Sequence, residues 1–581
     1  MPTTLDVETV IEPDGEALEI ARNWREWVIY RDKRIAELRE LRNYLFATDT
    51  TTTSNKALPW SNSTTTPKLT QIRDNLHANY MAALFPNANW MRWAARSQDD
   101  NTLEKRNVIQ GYVQTKVDDS GFEDKISELV LDWIDTGMAF GVVEHERVLV
   151  ERAPGDIIQQ YVGPKLKRIS IHDITFDPTA ESFAKTPKII KELVSIGDLK
   201  KRILEDPEEN EWMRGAFDKM ISVRGAINQL DAELSKTDAY QADGFSSFTD
   251  YFKSGRVELL HFMGDLYNSD TGEVRTNRII TIADRSRLLR DIPNPSWQGA
   301  ASVRGVGWRQ RPDNLYAMGP LENLVGLQYR IDHLENMKAD VWDQVAHPHL
   351  LIQGDVEEFG NELGERIYLG DEGSVGYLAP DVTALAADQQ IADLANKMEE
   401  LAGAPRSAMG IRTPGEKTAF EVGVLDRGAA RVFQHKAEHL ERNFAEPLLN
   451  DYLEVGRRNL DESDVVRTQD DDTGALLFQT ITREDITGNG KVVPMGSRHF
   501  AERALRLQNL QQLWQLKLAD PSVGVHFSGK LFAKLLAQEL GEENLFSDNV
   551  SVFEQTDTQR IIAESQIQTE EQQLAAIDEG V

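Results

Sequence analysis

The sequence predicts an α+β fold in which helix predominates. Three observations carry this. Residues 15–47 hold apolar side chains near a 3.6-residue period. Residues 139–176 and 257–292 break into short runs of alternating apolar and polar residues. Residues 318–460 read as a helix, a compact β-like insert, a second helix, a loop and one very long helix. The chain has 581 residues, which allows roughly three or four domains and a sizeable core without covalent staples.

In the first helix the apolar stripe is Ala21, Trp24, Trp27, Val28, Ile35, Leu38, Leu41 and Leu45. Residues 48–69 follow with 11 Thr or Ser, two prolines and no period. They read as a long loop, a feature that is uncommon in a compact domain and often functional. A helix resumes near Gln71 and stops before Pro86. Residues 101–119 and 122–137 predict two more helices, the second with Ile126, Leu129, Val130, Trp133 and Ile134 on one face. Strands are expected over 139–176, helix over 189–235, and then a hairpin: one run at 257–268, a polar turn, and a single second run through 275–292. Glycine and proline cluster at 292–320, which reads as a joint between subdomains.

Pro320 is placed to start a helix. Leu324, Leu327, Ile331, Leu334, Val341 and Val345 then fall on a heptad seam with Lys338 in one slot. Glu322, Arg330, Asp332, Glu335, Asp340 and Asp343 lie on the other faces. His347-Pro348 ends the helix. Residues 350–380 hold short β-like runs. A second helix spans 382–401, with Asp381 as N-cap and Ile391, Leu394, Met398 and Leu401 on one face. After the 404–417 loop, Thr418 and Glu421 form a capping box. The helix they open is far longer than the ~11–12-residue norm. Its stripe is Phe420, Val424, Val432, Leu440, Phe444, Leu448 and Tyr452, and Pro447 is expected to kink it. An acidic turn at 470–474 separates two β-like runs, and residues from Phe500 onward read as helical.

Lys and Arg total 64 and Asp and Glu total 95, for a formal charge of −31. A protein that grips DNA tightly wants the opposite sign. Solubility and a surface that DNA passes without sticking both fit this charge. There are no cysteines, so disulfides, thiolate metal sites and cysteine nucleophiles are excluded. No signal peptide or spanning segment is legible, and a soluble intracellular protein is expected.

Residues 524–531 (GVHFSGKL) have the spacing of a phosphate-binding loop. Leucine stands where the Mg²⁺-binding hydroxyl belongs, and a helix rather than a strand precedes it. His347 and His349 lack a third metal ligand at useful spacing. No pair of carboxylates stands out as an acid/base couple. No catalytic residue, cofactor or metal is expected.

Ala83-Leu84-Phe85-Pro86 followed by Trp90-Met91-Arg92 resembles an N-terminal segment of phage portal (head-to-tail connector) proteins of the short-tailed type. Residues 412–421, RTPGEKTAFE, are similar to a stretch of the same family where its long helix begins, with Glu416 and Thr418 one residue closer together. The order of elements through 318–460 resembles that family as well. The resemblance implies a portal fold with wing, stem, clip and crown, assembled as a cyclic ring, usually of twelve. Residues 1–319 would be the wing body. Residues 320–346 and 381–402 would be stem helices around a clip at 347–380. Residues 403–417 would be the tunnel loop, 418–499 the long wing helix and returning wing strands, and 500–581 the crown.

The family function implied is a channel at one capsid vertex through which DNA is packaged and ejected, in a virion protein assembled in the host cytoplasm and not an enzyme. Implied partners are further copies of the chain, a terminase large subunit, tail adaptor and capsid or scaffold proteins, and transient double-stranded DNA, with no membrane. Arg406, Arg412, Glu416 and Lys417 would face DNA from the tunnel loop, and sparse cations there suit weak, salt-screened phosphate contacts. Two other readings remain open: an ATP-using packaging or remodelling enzyme working through Lys530, and a non-ring structural scaffold.

Overall fold

The computed structural model describes residues 14–46, 61–62, 64–86, 90–97, 99–153, 156–206, 211–227, 255–268, 272–347, 349–354, 368, 370, 373–378, 382–402, 432–460, 464–469 and 476–496. Helix and strand are mixed along the chain, as an α+β fold requires. Two compact units are present: residues 1–84 with 116–459, and residues 85–115 with 460–581. The 319/320 position lies inside the first.

The first unit opens with α1 (Gly15–Phe46) and α2 (Lys68–Leu84). Ala21, Trp24, Leu38, Leu41 and Leu45 of α1 are buried, as the periodicity predicts. Helix α3 (Phe122–Asp135) buries Ile126, Leu129, Val130, Trp133 and Ile134. Its exit needs Gly137, whose φ is +79° and whose Cβ position would collide with the backbone of Gly319. Strands β1 (Met138–Ala153) and β2 (Asp156–Ile169) form a long antiparallel hairpin. Next come β3 (Ile174–Phe176), β4 (Lys188–Ser195), α4 (Ile196–Leu204) and α5 (Arg214–Ile227). Strands β5 (Arg256–Tyr267), β6 (Val274–Ala283) and β7 (Arg287–Pro293) complete an antiparallel sheet of order β3-β4-β5-β6-β7.

Both faces of that sheet are covered. Ala17, Ile20 and Trp24 of α1 pack on Ile189, Leu260, Phe262 and Ile280. Leu199 of α4 and Phe217 and Met220 of α5 pack on Val257, Leu259 and Leu289 of the other face. Strand β5 is therefore buried almost throughout instead of on alternate residues, the pattern of a strand with no solvent face.

Three expectations are corrected here. Residues 188–195 are a strand, because Lys188–Ser195 pairs with β5 along its whole length; the helix begins only after Ser195, whose side chain accepts the Asp198 N–H as an N-cap. The run 275–292 is two strands. It turns at Asp284 and Arg285, both at positive φ, closed by the Ser286 N–H on the Ala283 carbonyl. Two residues at positive φ match the twist of a tight hairpin, and ion pairs hold them: Arg224 to Asp284 at 2.7 and 2.8 Å, Arg285 to Glu258 at 2.6 and 2.8 Å. Residues 292–320 are no loose joint. There β8 (Val303–Gly307) pairs with β1, β9 (Arg309–Arg311) pairs with β10 (Asn314–Met318), and Val303, Tyr316 and Ala317 enter a core cluster with Phe140 and Phe176.

A 3₁₀ turn (Glu322–Leu324) leads into α6 (Val325–Ala346). Strands β11 (His349–Gln353) and β12 (Ser374–Leu378) pair antiparallel, and a 3₁₀ segment (Val382–Ala387) leads into α7 (Asp388–Ala402). Residues 432–440 are helical and run through a π-helical turn (Glu441–Ala445) into α8 (Glu446–Asn459). The wider turn sits just before Pro447, which has no N–H to give and would crowd the carbonyl four residues back. On α8 the Tyr452 hydroxyl takes the Leu166 N–H at 3.0 Å and meets the Ser120 hydroxyl at 2.9 Å. Leu401 and Val432, both placed on apolar stripes, are instead exposed.

In the second unit Met91–Ala95 pairs with Gly490–Pro494, and Asp464–Gln469 pairs with Leu476–Ile481 across the 470–475 segment. Trp90 and Met91 are buried, and Phe85 meets Trp90 edge to face at 4.8 Å. The Asp100 carboxylate accepts from Lys105, from Ser97 and from the Asn489 N–H, which together hold it well below the usual carboxylate range.

Candidate functional site

The helix pair α6 and α7, joined by the β11–β12 hairpin, is where the sequence placed its assembly residues. Burial along α6 changes steadily. Leu324, Ile331 and Leu334 are buried in the first unit's core, and Leu327 and Val341 are half-buried. Val345 is 40% exposed, so the predicted seam is not covered at its far end within one chain. The same end carries Trp342 at 57% exposure, and β11 adds Leu351 at 58% and Ile352 at 54%. On α7, Met398 and Ala402 are buried. Lys338, the polar interruption of the heptads, is neutralised across the pair by Asp388 and along α6 by Glu335 at 3.6 Å.

The polar face of α6 has a role that the heptad reading missed. Gln328, Asp332, Asn336 and Asp340 recur every four residues, so they line one face of the helix. Residues 61–62 and 64–69 lie along that face. The Leu69 N–H donates to Gln328 Oε1 at 3.2 Å, and Gln328 Nε2 donates to the Thr66 carbonyl at 2.6 Å. The Thr66 N–H donates to Asp332 Oδ1 at 2.9 Å. Asn336 accepts from the Thr64 N–H at 2.9 Å and donates to the Thr64 carbonyl at 3.0 Å. The N–H groups of Ser61 and Asn62 both reach Asp340 at 2.8 Å. Desolvation works against the Asp340 charge, but the Asn62 and Ser61 N–H groups outweigh it and hold the carboxyl below its ordinary value.

Backbone polar groups need partners wherever water is displaced. Here amide and carboxylate side chains supply them in the way a neighbouring strand would. Gln328, Asp332 and Asn336 are at most 1% exposed. Asp332, expected on a charged outer face, is one of the most buried carboxylates in the unit. At the strap's end Lys68 pairs with Glu399 of α7 at 2.5 Å, so the segment ties both helices together. The legible signal was the Gln-Asp-Asn-Asp recurrence at four-residue steps beside a Thr/Ser-rich segment.

Elsewhere the structure forms one arrangement with catalytic geometry. His261 Nδ1 lies 2.9 Å from Thr281 Oγ1 and its Nε2 lies 3.0 Å from Glu192, which Arg202 grips through both oxygens. Nucleophile, base and orienting carboxylate are thus in order. Thr281 is wholly buried, so no substrate carbonyl can reach its oxygen, and the set acts as a polar clasp between sheet and α4. Lys188 is likewise fully buried. Burial, then Arg304, pushes its ammonium down to about 7, while it donates to the Thr186 carbonyl at 2.9 Å.

Among the described residues no group of three His, Asp or Glu is placed to hold a metal, and no helix is long and apolar enough to cross a membrane. Arg406, Arg412, Glu416 and Lys417, the Thr418 capping box and the 524–531 segment lie outside the described residues. Comparison with models of known protein families and with curated proteins gives no match.

Proposed function

We propose that this chain is a subunit of a viral portal ring, a structural conduit for double-stranded DNA at one capsid vertex. In this reading α6 and α7 are the stem, the β11–β12 hairpin belongs to the clip, and residues 403–417 are the tunnel loop. The observation that carries it is the apolar end of the helix pair. Trp342 and Val345 near the end of α6 and Leu351 and Ile352 on β11 are large and exposed, while the other end of α6 is anchored in a core. Exposed hydrophobics this large and this near one another in sequence suit a surface that a partner covers. A closed ring covers it with a different surface of the neighbouring copy, head to tail, and leaves no open edge.

The strap supports the same reading. A stem must keep its shape while DNA moves past it, and residues 61–62 and 64–69 fasten α6 to α2 and α7 through many hydrogen bonds. Terminase, and later tail adaptors, would dock on the clip, and capsid or scaffold proteins on the wing. Arg406, Arg412 and Lys417 would touch phosphates briefly as DNA passes.

Negative-stain micrographs of the purified chain test the proposal. Rings with a central channel are expected, and Trp342→Ser with Leu351→Ser is expected to abolish them while the monomer stays folded by circular dichroism. Monomers or dimers alone under assembly conditions would overturn it.

A further inference from the structure

A cleft of about 710 Å³ opens beside the second half of α1, between α1, α2, α3 and the end of β2. Its apolar surface comes from Ile35, Leu45, Phe46 and Leu131, and Phe46 is 62% exposed at its rim. The charges around it divide cleanly. Asp32 is paired with Arg31, Glu128 with Lys125, Asp132 with Arg168 and Asp135 with Arg73. That leaves two guanidinium groups. Arg39 makes no ion pair among the described residues, and Arg42 has only a 3.4 Å approach to His172. In a chain of formal charge −31, a cleft with every carboxylate matched and two arginines to spare is a place for an acidic ligand with apolar side chains.

The chain itself contains such a segment. Residues 5–12 read Leu-Asp-Val-Glu-Thr-Val-Ile-Glu, with Leu5, Val7 and Ile11 on one side of a period-two pattern and Asp6, Glu8 and Glu12 on the other. No lysine or arginine occurs before Arg22. The same chain's segment is poorly placed to lie across its own cleft. Asp14 is fixed at the start of α1: its N–H bonds the Ser286 carbonyl and its carboxylate takes the Leu288 N–H. Arg39 lies 39 − 14 = 25 residues further, about 37 Å along the helix at 1.5 Å per residue. Glu8 is six residues from Asp14 and reaches at most about 22 Å when fully extended, and Leu5 about 32 Å.

We infer that the cleft binds residues 5–12 of a second copy of this chain, the aliphatic side chains on its apolar floor and the carboxylates against Arg39 and Arg42. The inference needs self-association but not a closed ring, so the two can fail separately.

The lack of cysteine makes a clean test possible. A Thr9→Cys chain and an Ala36→Cys chain are mixed and oxidised; Ala36 is exposed on the cleft wall. A disulfide-linked heterodimer on a non-reducing gel is expected. It should fall at least tenfold when Arg39→Glu and Arg42→Glu are added to the Ala36→Cys chain, and should not form with Arg25→Cys, an exposed site outside the cleft. No heterodimer, one indifferent to the charge reversal, or one formed equally at Arg25→Cys overturns the inference. If Ala36→Cys does not fold, a fluorescent peptide of residues 1–14 is titrated onto a chain lacking residues 1–13. Binding weakened tenfold or more by the double reversal supports the inference, and absent or unaltered binding overturns it. Micrographs of the same samples report ring formation independently.

Discussion

Asn336→Ala should free the strap from the middle of α6. The side chain makes three hydrogen bonds to one residue: its Oδ1 accepts from the Thr64 N–H and hydroxyl, each at 2.9 Å, and its Nδ2 donates to the Thr64 carbonyl at 3.0 Å. At about 1 kcal/mol net for each bond, and with the exposed hydroxyl free to bond water instead, the expected loss is about 2 kcal/mol. Asn336 is 1% exposed, so water does not readily replace it. A loss of that size raises the local opening equilibrium roughly thirtyfold. Amide hydrogen exchange at Thr64 and Thr66 should quicken by that factor, while the Leu260 and Phe262 amides in the central sheet stay protected. Asn336→Asp should cost at least as much, because it buries a carboxylate between Asp332 and Asp340 and turns an oxygen on the Thr64 carbonyl. Exchange at Thr64 unchanged by Asn336→Ala would refute the claim that α6 side chains hold the strap.

Leu334→Asp should cost several kcal/mol in urea denaturation, because a carboxylate would enter a site that is 4% exposed, whereas half-buried Leu327→Asp should cost less; equal effects would contradict the burial gradient of α6. Lys188 sets a pH dependence. Its pKa is about 7 in the folded state against 10.5 ordinarily, so between these values the unfolded chain holds more protons and stability rises with pH. The penalty is fully present below pH 7, with a ceiling of about 5 kcal/mol. Lys188→Met should flatten the slope between pH 7 and 10, and an unaltered slope would show that Lys188 is not its source. Tyr452→Phe should cost about 1–3 kcal/mol, since it leaves the buried Leu166 N–H without its acceptor, a loss that thermal unfolding would reveal.

Much of the architecture was legible because periodicity reports burial directly. The stripes of α1 and α3 face cores, and the two predicted β blocks are sheets. The errors have local causes. KIIKELVS carries lysine and glutamate in a spacing that suits helix, and only pairing with β5 makes it a strand. The β6–β7 turn uses Asp284 and Arg285 with no Gly, Asn or Pro, so Asp284 and Ser286 were its only turn-forming residues; its conformation is held by ion pairs to distant residues. Leu401 and Val432 fit apolar stripes by spacing, but no element among the described residues covers them.

For the candidate site the division is sharper. The heptad seam of α6 could be read from spacing, because helical geometry alone puts Leu324, Ile331 and Leu334 on one side. The sequence by itself also determined the absence of cysteine chemistry, the acidic charge and the mixed α+β character. Which polar face would be buried, and under what, depended on a segment 259–272 residues away closing against Gln328, Asp332 and Asn336. So did the pairing that, among the described residues, leaves Arg39 and Arg42 without a carboxylate around their cleft. Such facts come from which backbone groups and charges find partners once distant segments meet, and periodicity along a chain records only which side of each element turns away from water.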